Sequence, residues 1–551
     1  SISSNLNRSA MPTVYIDGIE VQLAEGERAN GIQAAERAGI EIPHYCWHPG
    51  LTVVASCRMC LVETGTRDPQ SGEVKMLPKL VPACQTPAGD NTVFVTNSDK
   101  VKQARSIVEE DLLIRHPIDC PICDKAGECD LQDYHFKYGQ DERRADVRPF
   151  TSRRRDVGDT VTLFVDRCVM CTRCVRFTRE ISGTSELFVA HRGSHEEIEV
   201  FPGYPLDNKM AGNVVDLCPV GALGDKDFLY RQRVWMMKAH DGVCTGCSTG
   251  CSIEVEENQD TVYRLKPREN PHINEWWMCD EGRYGFHHVH SDRRLTNVER
   301  IEDGETVLLE WTQVLPEIDE RFRQAGRLGA ALSPHLTVEE AYLLAKYVRS
   351  IDPEAVVVLG PVPVEGQDES FKNGFTIRAE KCPNRRGVEE VVRHFSDGVP
   401  TLEELIANVE AGVVQAAWIS GGYKNDWIDD ATAERLAPVS CLVVQDLFGS
   451  PLLDRARYRL PGAAFAERAG SYVNHVDRLQ SVDWAIRPPA GVRVEGGVYW
   501  QLLQGQRMFK ARGVLEEVAR EIPFFAAAAN EVGPLGVDLK AGSAVEKAVT
   551  G

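Results

Sequence analysis

The sequence predicts a multidomain protein that combines α+β and α/β domains. At 551 residues the chain is long enough for several domains of about 100 to 200 residues each. Fifteen of its 17 cysteines lie before residue 280 and fall into four spaced groups, whereas the C-terminal half alternates helix-like and strand-like patterns. Its composition, with 43% hydrophobic and 26% charged residues, is typical of a packed globular protein.

Charge and hydropathy disfavour several classes of function. Lys plus Arg number 62 and Asp plus Glu 82, and the net charge of −20 repels nucleic acid and anionic membrane surfaces. No window approaches 18 consecutive apolar residues, so we expect membrane contact only through other chains. Residues 1–10 have no apolar core of a secretory signal and are expected to be a loose extension or an alternative start before Met11. In a reducing compartment the cysteines are expected to be ligands instead of disulfides.

The first cysteine group follows a ferredoxin-like order of elements. Residues 13–23 alternate apolar and polar around an Asp17-Gly18 turn, which predicts a β-hairpin, and residues 31–40 have helical spacing that ends at Gly39. A C-x10-C-x2-C-x23-C pattern comes next. The plant-type binuclear pattern has four residues in its first gap instead of ten, but its C-x2-C pair and its late fourth cysteine are kept. A [2Fe-2S] cluster is therefore favoured over zinc for Cys46, Cys57, Cys60 and Cys84.

The second group adds a histidine to three cysteines in the pattern H-x3-C-x2-C-x5-C. A lone histidine would be better explained as a capping or core residue. Here three cysteines need a fourth donor to complete a cubane, which favours His116 as the ligand that joins Cys120, Cys123 and Cys129. A neutral imidazole in place of a thiolate makes a cluster less negative and raises its reduction potential.

The third group has the most specific spacing. C-x2-C-x2-C followed by a distant Cys-Pro is the bacterial ferredoxin pattern, and here it is given by Cys168, Cys171, Cys174 and Cys218-Pro219. Thr178 stands where the fourth cysteine of the first half of this pattern would be, and the second half keeps only its Cys-Pro. One [4Fe-4S] cluster is therefore expected in this segment.

The fourth group, C-x2-C-x3-C-x27-C, consists of Cys244, Cys247, Cys251 and Cys279. A strand-like segment at residues 261–267 lies inside its long gap. Four cysteines also form structural zinc sites, and spacing alone leaves zinc open for this group. The two remaining cysteines, Cys382 and Cys441, are expected to be small buried hydrophobic residues.

The C-terminal half has the alternating pattern of an α/β domain. Residues 335–351 are spaced as a helix, while residues 355–360 and 441–448 read as buried strands. The segment at 461–480, PGAAFAERAGSYVNHVDRLQ, resembles the late motif of molybdopterin-binding oxidoreductases. No metal ligand for molybdenum can be assigned beyond the fourth group.

Taken in this order, the motifs CRMCLVE, HPIDCPICDKAGECDLQD, RCVMCTRCVRF, DLCPVGAL and CTGCSTGCSIEV resemble the large iron-sulfur subunit of NADH-quinone oxidoreductase, the G subunit of respiratory complex I. The resemblance extends from about Val14 to at least Arg283. It assigns the Cys46 group to the binuclear cluster, the His116 group to the histidine-bearing cubane and the Cys168 group to the next cubane on the electron path. The Cys244 group matches an extra cubane that only some bacterial members keep.

The resemblance also implies the domain organisation. It implies a β-grasp [2Fe-2S] ferredoxin-like domain at 11–95, a histidine-plus-three-cysteine [4Fe-4S] domain at 96–150, a ferredoxin-like [4Fe-4S] domain at 151–237, a four-cysteine [4Fe-4S] subdomain of molybdopterin oxidoreductase type at 238–294, and a truncated molybdopterin-oxidoreductase-like α/β domain without molybdenum at 295–551. One [2Fe-2S] and three [4Fe-4S] clusters are the implied cofactors.

The implied function is electron relay within an oxidoreductase complex, with no catalytic residue on this chain. No G-x-G-x-x-G after a strand and no G-x-x-x-x-G-K-[ST] occurs, so the NADH and flavin sites are expected on a neighbouring subunit. The implied partners are the NADH-oxidising flavoprotein with its own [2Fe-2S] subunit, and downstream iron-sulfur and quinone-site subunits. The implied location is the cytoplasmic side of a bacterial inner membrane, as a peripheral part of the complex.

Three other hypotheses remain open at this stage. The chain could be the molybdenum subunit of an NAD-linked formate dehydrogenase, although its C-terminal part is short for that class. It could be a diaphorase subunit of a soluble NAD-linked hydrogenase. It could also be a scaffold held together by zinc, which iron analysis would distinguish.

Overall fold

A computed structural model describes residues 11–142, 144–150, 153–193 and 195–540. The chain divides into two compact units, an N-terminal unit Ser1–Met236 and a C-terminal unit Met237–Gly551. The predicted extension at residues 1–10 lies outside the described residues.

The N-terminal unit begins with a sheet of six strands and two helices. These elements are β1 (Thr13–Ile16), β2 (Ile19–Gln22), α1 (Gly31–Arg37), β3 (Leu61–Arg67), β4 (Val74–Met76), β5 (Val81–Pro82), β6 (Thr92–Val95) and α2 (Asp99–Leu113). The strand order is β2-β1-β6-β3-β4, and β5 pairs with β3. Strands β1 and β6 are parallel, whereas the other pairs are antiparallel.

The predicted hairpin and helix of this sheet are both present. Asp17 and Gly18 have φ of 47° and 87°, as the tight turn of a two-residue hairpin requires. Helix α1 begins with a capping box between Asn30 and Gln33, and Gly39, at φ 72°, follows its end. The loop that carries three of the cysteines follows this helix.

Short elements make up the rest of the N-terminal unit. They are α3 (Asp130–Tyr138), β7 (Arg154–Asp156), β8 (Val161–Phe164), α4 (Arg173–Phe177), β9 (Leu187–Ala190), β10 (Glu197–Val200), α5 (Asn213–Leu217) and β11 (Leu223–Asp225). Strands β11, β8 and β7 form one small sheet, and β10 with β9 forms another. A π-helical turn, Thr178–Ser182, directly follows α4.

The C-terminal unit opens with a three-stranded antiparallel sheet and then forms an α/β sheet. Its first elements are β12 (Lys238–Val243), β13 (Ser252–Asn258), β14 (Thr261–Pro267), α6 (Asp280–Arg283), β15 (Val298–Glu302), β16 (Glu305–Leu309), α7 (Trp311–Gln324), β17 (Arg327–Leu332), α8 (Val338–Ile351), β18 (Val356–Leu359), β19 (Glu369–Ser370) and β20 (Thr376–Ile377). The others are α9 (Arg385–Phe395), α10 (Leu402–Glu410), β21 (Val414–Ser420), α11 (Asp430–Leu436), β22 (Cys441–Asp446), α12 (Pro451–Arg455), β23 (Tyr458–Pro461), β24 (Gly470–Val473), β25 (Arg478–Val482), α13 (Glu495–Leu502), α14 (Ala511–Glu521) and β26 (Val537–Asp538).

Seven strands form the main sheet, in the order β16-β15-β23-β22-β21-β17-β18. The five strands from β23 to β18 are parallel, and the β15–β16 hairpin adds an antiparallel edge. Apolar residues cover both faces, since Trp418 of β21 belongs to one hydrophobic core and its neighbour Ile419 to a second. The helix predicted at 335–351 is α8, which begins with a capping box between Thr337 and Glu340.

Four candidate cysteine-ligand sites

The first predicted ligand set is held in two loops of the first sheet. Cys46, Cys57 and Cys60 lie in the loop before β3, and Cys84 follows β5. Hydrogen bonds link the Cys46 thiol to those of Cys57 and Cys84, and the Cys60 thiol to that of Cys84. Ala55 and Arg58 take φ of 51° and 62°, so the loop folds back on itself there. The structure therefore brings all four predicted ligands together.

Two of these thiols, Cys46 and Cys60, have a lowered pKa and would ionise before the other two. Hydrogen bonds from Cys57 and Cys84 lower the pKa of Cys46, and one from Cys84 lowers the pKa of Cys60. The pKa of Cys57 and that of Cys84 are raised, first because each is the donor in these hydrogen bonds, and second because Cys57 is partly buried and Cys84 is buried. Metal binding takes all four thiolates and releases the remaining protons, so this donor set fits an iron-sulfur cluster.

The second set is the least enclosed of the four. Cys123 is buried, Cys129 is half-buried and Cys120 is exposed. Burial raises the pKa of Cys123, and it raises the pKa of Cys129 to about 12. A Cβ at Gly221 would lie 2.1 Å from the Cys123 sulfur, so only glycine leaves this sulfur its space.

His116 lies in the same neighbourhood as this set. Burial, followed by the positive charge of Arg167, lowers the pKa of His116 to about 4. The same Arg167 acts on Cys123. A histidine ligand must be neutral, and His116 is neutral at physiological pH. The structure shows no hydrogen bond between its imidazole and the three cysteines, so its role as fourth donor stays a prediction.

The third set lines a cavity of mostly apolar walls. Cys168, Cys171, Cys174 and Cys218 all face this cavity, together with side chains such as Leu163 and Ile198. Met170 and Thr172 take φ of 49° and 60°, which turns the loop tightly and lets the N–H of Met170 donate to the Cys168 sulfur at 3.4 Å. Burial raises the pKa of Cys171 to about 11 and those of Cys168 and Cys174 further. Four such thiols around one cavity fit a cluster that takes them as thiolates.

The fourth set belongs to the C-terminal unit and is wholly buried. Cys244, Cys247 and Cys251 lie between β12 and β13, and Cys279 precedes α6. Burial, followed by the Cys247 charge, raises the pKa of Cys244 to about 11. A Cβ on Gly282 would lie 2.7 Å from the Cys244 sulfur and 3.7 Å from that of Cys279. Glycine at 282 therefore leaves space between two predicted ligands.

The late motif at 461–480 holds the loop of this fourth set. Asn474 Nδ2 donates to the Thr249 carbonyl at 3.1 Å, and Gln480 Nε2 donates to the Gly250 carbonyl at 2.8 Å. The N–H of His475 donates to the carbonyl of Ser248 at 3.0 Å. The Cys244 group and the segment at 461–480 can each be recognised in the sequence. No pattern within either segment predicts that the two are in contact, because they are more than 220 positions apart.

Sequence reasoning also missed two arginines in RCVMCTRCVRF. Arg173 and Arg176 follow predicted ligands and are buried, with exposed fractions of 7% and 2%. The sequence did offer one signal for them, because charged residues stand here among residues that are mostly buried. Cys382 and Cys441 are buried, as predicted.

Two features are absent from the described residues. There, no group of three or more His, Cys, Asp or Glu side chains has the arrangement needed to hold a metal ion. The first set rests on the mutual contacts of its thiols, the third on the cavity that its cysteines share, and the second and fourth on the closeness of their cysteines in the chain and on the space that Gly221 and Gly282 leave. No described helix has both the length and the apolar character that crossing a membrane requires.

Four clustered cysteine sets on small domains define a protein that binds iron-sulfur clusters, and comparison with known families agrees. Five family models match in the predicted order. They are "2Fe-2S iron-sulfur cluster binding domain" at 9–99, "NADH-ubiquinone oxidoreductase-G iron-sulfur binding region" at 105–144, "NADH-quinone oxidoreductase subunit 3, ferredoxin-like domain" at 158–224, "Molybdopterin oxidoreductase Fe4S4 domain" at 237–291 and "Molybdopterin oxidoreductase" at 389–502.

Individual relatives are named as subunits of NADH-quinone or NADH-ubiquinone oxidoreductase. The NADH-quinone oxidoreductase G subunit of Rickettsia felis is 34% identical over 343 residues, which are 62% of this chain and 49% of that protein. The mitochondrial NADH-ubiquinone oxidoreductase 78 kDa subunit of Candida albicans is 32% identical over 428 residues, which are 76% of this chain and 56% of that protein. The predicted resemblance is confirmed: this chain is a relative of the large iron-sulfur subunit of NADH-quinone oxidoreductase.

The chain spans about half the length of the curated relatives it matches. Among solved structures, a chain of the NAD+-reducing [NiFe]-hydrogenase in the H2-reduced state is similar at 27% identity with a TM-score of 0.35, covering 41% of this chain and 92% of that one.

Proposed function

We propose that this chain is the electron-relay subunit of an NADH-quinone oxidoreductase, which passes electrons from a flavoprotein that oxidises NADH through its iron-sulfur clusters toward quinone. The observation that carries this proposal is the grouping of the fifteen cysteines before residue 280 into four buried or partly buried sets. These sets lie on segments that match iron-sulfur domain models, two of which are named for NADH-quinone or NADH-ubiquinone oxidoreductase. The clusters supply one-electron transfer when they are bound, and the protein supplies ligands, burial and charge.

The finer assignment of cofactors is part of this proposal. Cys46, Cys57, Cys60 and Cys84 would hold one [2Fe-2S] cluster. Three [4Fe-4S] clusters would be held by His116 with Cys120, Cys123 and Cys129, by Cys168 with Cys171, Cys174 and Cys218, and by Cys244 with Cys247, Cys251 and Cys279. The cavity of the third set and the glycines at 221 and 282 support this assignment.

Contacts between ligand-bearing loops support an order of electron transfer in the N-terminal unit. Arg176 Nη2 donates to the carbonyls of both Cys46 and Cys171, so one side chain joins the first and third sets. The N–H of Asp130, next to Cys129, donates to the carbonyl of Pro219, next to Cys218, at 2.9 Å. We propose that electrons pass from the binuclear cluster to the Cys168 cubane and then to the His116 cubane. This order of the two cubanes is the reverse of their order in the sequence and of the order in which the sequence resemblance lists them.

The domain assignments and partners belong to the same proposal. The sheet of β1 to β6 supports a β-grasp ferredoxin-like domain at 11–95, followed by cluster domains at 96–150, 151–237 and 238–294 and an α/β domain at 295–551. The flavoprotein with its [2Fe-2S] subunit would deliver electrons, and downstream iron-sulfur and quinone-site subunits would receive them. The chain would lie on the cytoplasmic side of a bacterial inner membrane and contact the membrane only through these subunits.

Metal analysis of the anaerobically purified chain tests the proposal. One binuclear and three cubane clusters require about 14 irons per chain with matching acid-labile sulfide. About four zinc ions and a colourless protein would instead identify a zinc-held scaffold. NADH should then reduce the clusters only after the flavoprotein partner is added, and bleaching of the isolated chain by NADH would contradict the proposed division of labour.

A second candidate is supported by the molybdopterin oxidoreductase match at 389–502. In that case the chain would be the molybdenum-bearing subunit of a soluble NAD-linked formate dehydrogenase. Stoichiometric molybdenum in the purified chain, with formate-dependent cluster reduction, would favour this candidate over electron relay.

A further inference from the structure

Two buried arginines lie between the first and third predicted ligand sets. Arg173 and Arg176 both belong to α4, which begins directly after the loop of Cys168 and Cys171. Their exposed fractions are 7% and 2%. Each guanidinium therefore carries a positive charge that has been removed almost completely from water.

Each guanidinium bridges the two sets through backbone carbonyls. Arg176 Nη2 donates to the carbonyl of Cys46 and, at 3.2 Å, to that of Cys171. Arg173 Nη2 donates at 2.7 Å to the carbonyl of Trp47, which follows Cys46, and its Nη1 donates at 3.2 Å to that of Leu217, which precedes Cys218.

The charges of these arginines have no close carboxylate partner. Within the described residues, every hydrogen bond that the two guanidinium groups make goes to a backbone carbonyl, and neither group forms an ion pair. Asp130 and Glu180 act on Arg173 and Arg176 only over longer distances. A buried charge without a counter-charge is costly, so an anionic group in the neighbouring sites would compensate it.

Iron-sulfur clusters with four thiolate ligands are such anionic groups. Reduction adds one electron to a cluster and makes it more negative, with no bond broken or formed. A nearby buried cation stabilises the reduced form more than the oxidised form and raises the reduction potential.

We propose that Arg173 and Arg176 form a shared cationic bridge that sets the reduction potentials of the binuclear cluster and of the Cys168 cubane together. The inference rests on the proposed electron-relay function, because it requires clusters at both sites. The two arginines are positioning residues that act through the clusters and touch no substrate. Because each cation lies beside both sites, it would raise the two potentials together and so keep the difference between these neighbouring clusters small.

The test is a redox titration of the full chain, followed by electron paramagnetic resonance of both clusters. At the wild-type midpoint potential, Arg176→Gln should lower the ratio of reduced to oxidised cluster about tenfold at each of the two sites, which corresponds to about 59 mV for a one-electron couple. Arg176→Lys keeps the charge, and we expect its ratios to stay within about threefold of wild type. Arg179→Gln removes an exposed arginine three residues further along the chain and should change neither ratio.

The outcomes separate this inference from the function beneath it. If the wild-type chain holds no iron-sulfur clusters, the proposed function fails. If a loaded Arg176→Gln chain titrates as wild type, or if only one cluster shifts, the shared bridge is overturned while the relay function stands. Should Arg176→Gln fail to load, Arg176→Lys decides: near-normal ratios support the bridge, and a tenfold fall shows that charge is not what matters.

Discussion

Two buried arginines of the N-terminal unit are balanced differently from two buried arginines of the C-terminal unit. In the N-terminal unit, Arg173 and Arg176 donate to backbone carbonyls and have no carboxylate within ion-pair distance among the described residues. In the C-terminal unit, Arg468 contacts the carboxylates of Glu340 at 2.7 Å and of Glu495 at 3.0 Å. There Arg294 likewise pairs with Glu467 at 2.5 Å.

The two pairs of arginines differ in where their negative counter-charge comes from. A buried ion pair satisfies its own charge, although its net contribution to stability is small. A buried arginine without a carboxylate depends on another anion, and the sites beside Arg173 and Arg176 are those that we propose to hold clusters. Cluster loading should therefore matter more for the charge balance of the N-terminal unit than for that of the α/β domain.

The largest effect should come from breaking the self-balanced network of the C-terminal unit. Arg468→Ala leaves Glu340 and Glu495 buried without their cation, and removal of one partner from a buried pair costs about 3 to 5 kcal/mol. We expect hydrogen exchange in helix α8, which carries Glu340, to accelerate by more than a hundredfold. Mass spectrometry of peptides from residues 338–351 measures this directly.

A matched control for this variant is Arg512→Ala. Arg512 is exposed and pairs with Glu516 one helical turn away, and pairs of this kind contribute about 0.3 to 0.5 kcal/mol. Hydrogen exchange in α8 of the Arg512→Ala variant should stay close to that of the wild-type protein. Equal protection of α8 in Arg468→Ala and wild type would mean that the network adds nothing to the stability of this unit.

Much of this fold could be predicted because its signals are local. The hairpin at Asp17-Gly18, helix α8 with its capping box, and the buried strands β18 and β22 all follow from patterns within a few residues. The pairing order of the seven-stranded sheet could not be predicted, because it depends on contacts between segments far apart in the chain. The antiparallel β15–β16 hairpin joins β23 after more than 140 residues.

The pH dependence of stability should be the next largest effect, and it too belongs to the C-terminal unit. Burial, opposed by hydrogen bonds from Ser471, raises the pKa of Glu339 from 4.5 to about 7, and the nearby charge of Glu340 adds to the increase. Between pH 4.5 and 7 the folded protein keeps a proton that the unfolded chain has lost. The stabilisation that this proton provides is therefore fully present below pH 4.5 and is lost as the pH rises through about 7. The loss in the free energy of unfolding is about 3 kcal/mol in total.

Glu339→Gln tests this effect by removing the titrating group and keeping an oxygen that can accept from Ser471. We expect the variant to be more protected from hydrogen exchange in α8 than wild type at pH 8, and similar at pH 5, after correction for intrinsic exchange rates. Burial also raises the pKa of Asp446 to about 6 and that of Glu495 to about 7. These two groups should therefore preserve part of the dependence of stability on pH in the variant. Glu305→Gln, at an exposed position, is the control and should leave the profile unchanged. A variant that keeps the full wild-type slope would exclude Glu339 as its source.

The candidate ligands could be predicted more fully than their surroundings. Cysteine spacing predicts which cysteines group together, although for the fourth set it leaves zinc open as the metal, and the contacts of the Cys46 set agree with the predicted grouping. The residues that surround the ligands follow no comparable sequence pattern. Gly282 is notable only because a Cβ would meet the Cys244 sulfur, and Asn474 only because its amide reaches a loop 225 positions away. Their roles follow from tertiary contacts.

The smallest effect should follow from changing the charge of a single predicted ligand in the N-terminal unit. His116 is neutral, because burial and Arg167 lower its pKa to about 4. His116→Cys would replace a neutral donor by an anionic thiolate, which opposes the addition of an electron to that cluster. The ratio of reduced to oxidised cluster should therefore fall about tenfold at the wild-type midpoint potential, as measured by electron paramagnetic resonance. Cys120→His makes the opposite change and should raise the ratio. An intact cluster with the same potential in both variants would remove His116 from the ligand set and leave the second site with three cysteines and an unidentified fourth donor.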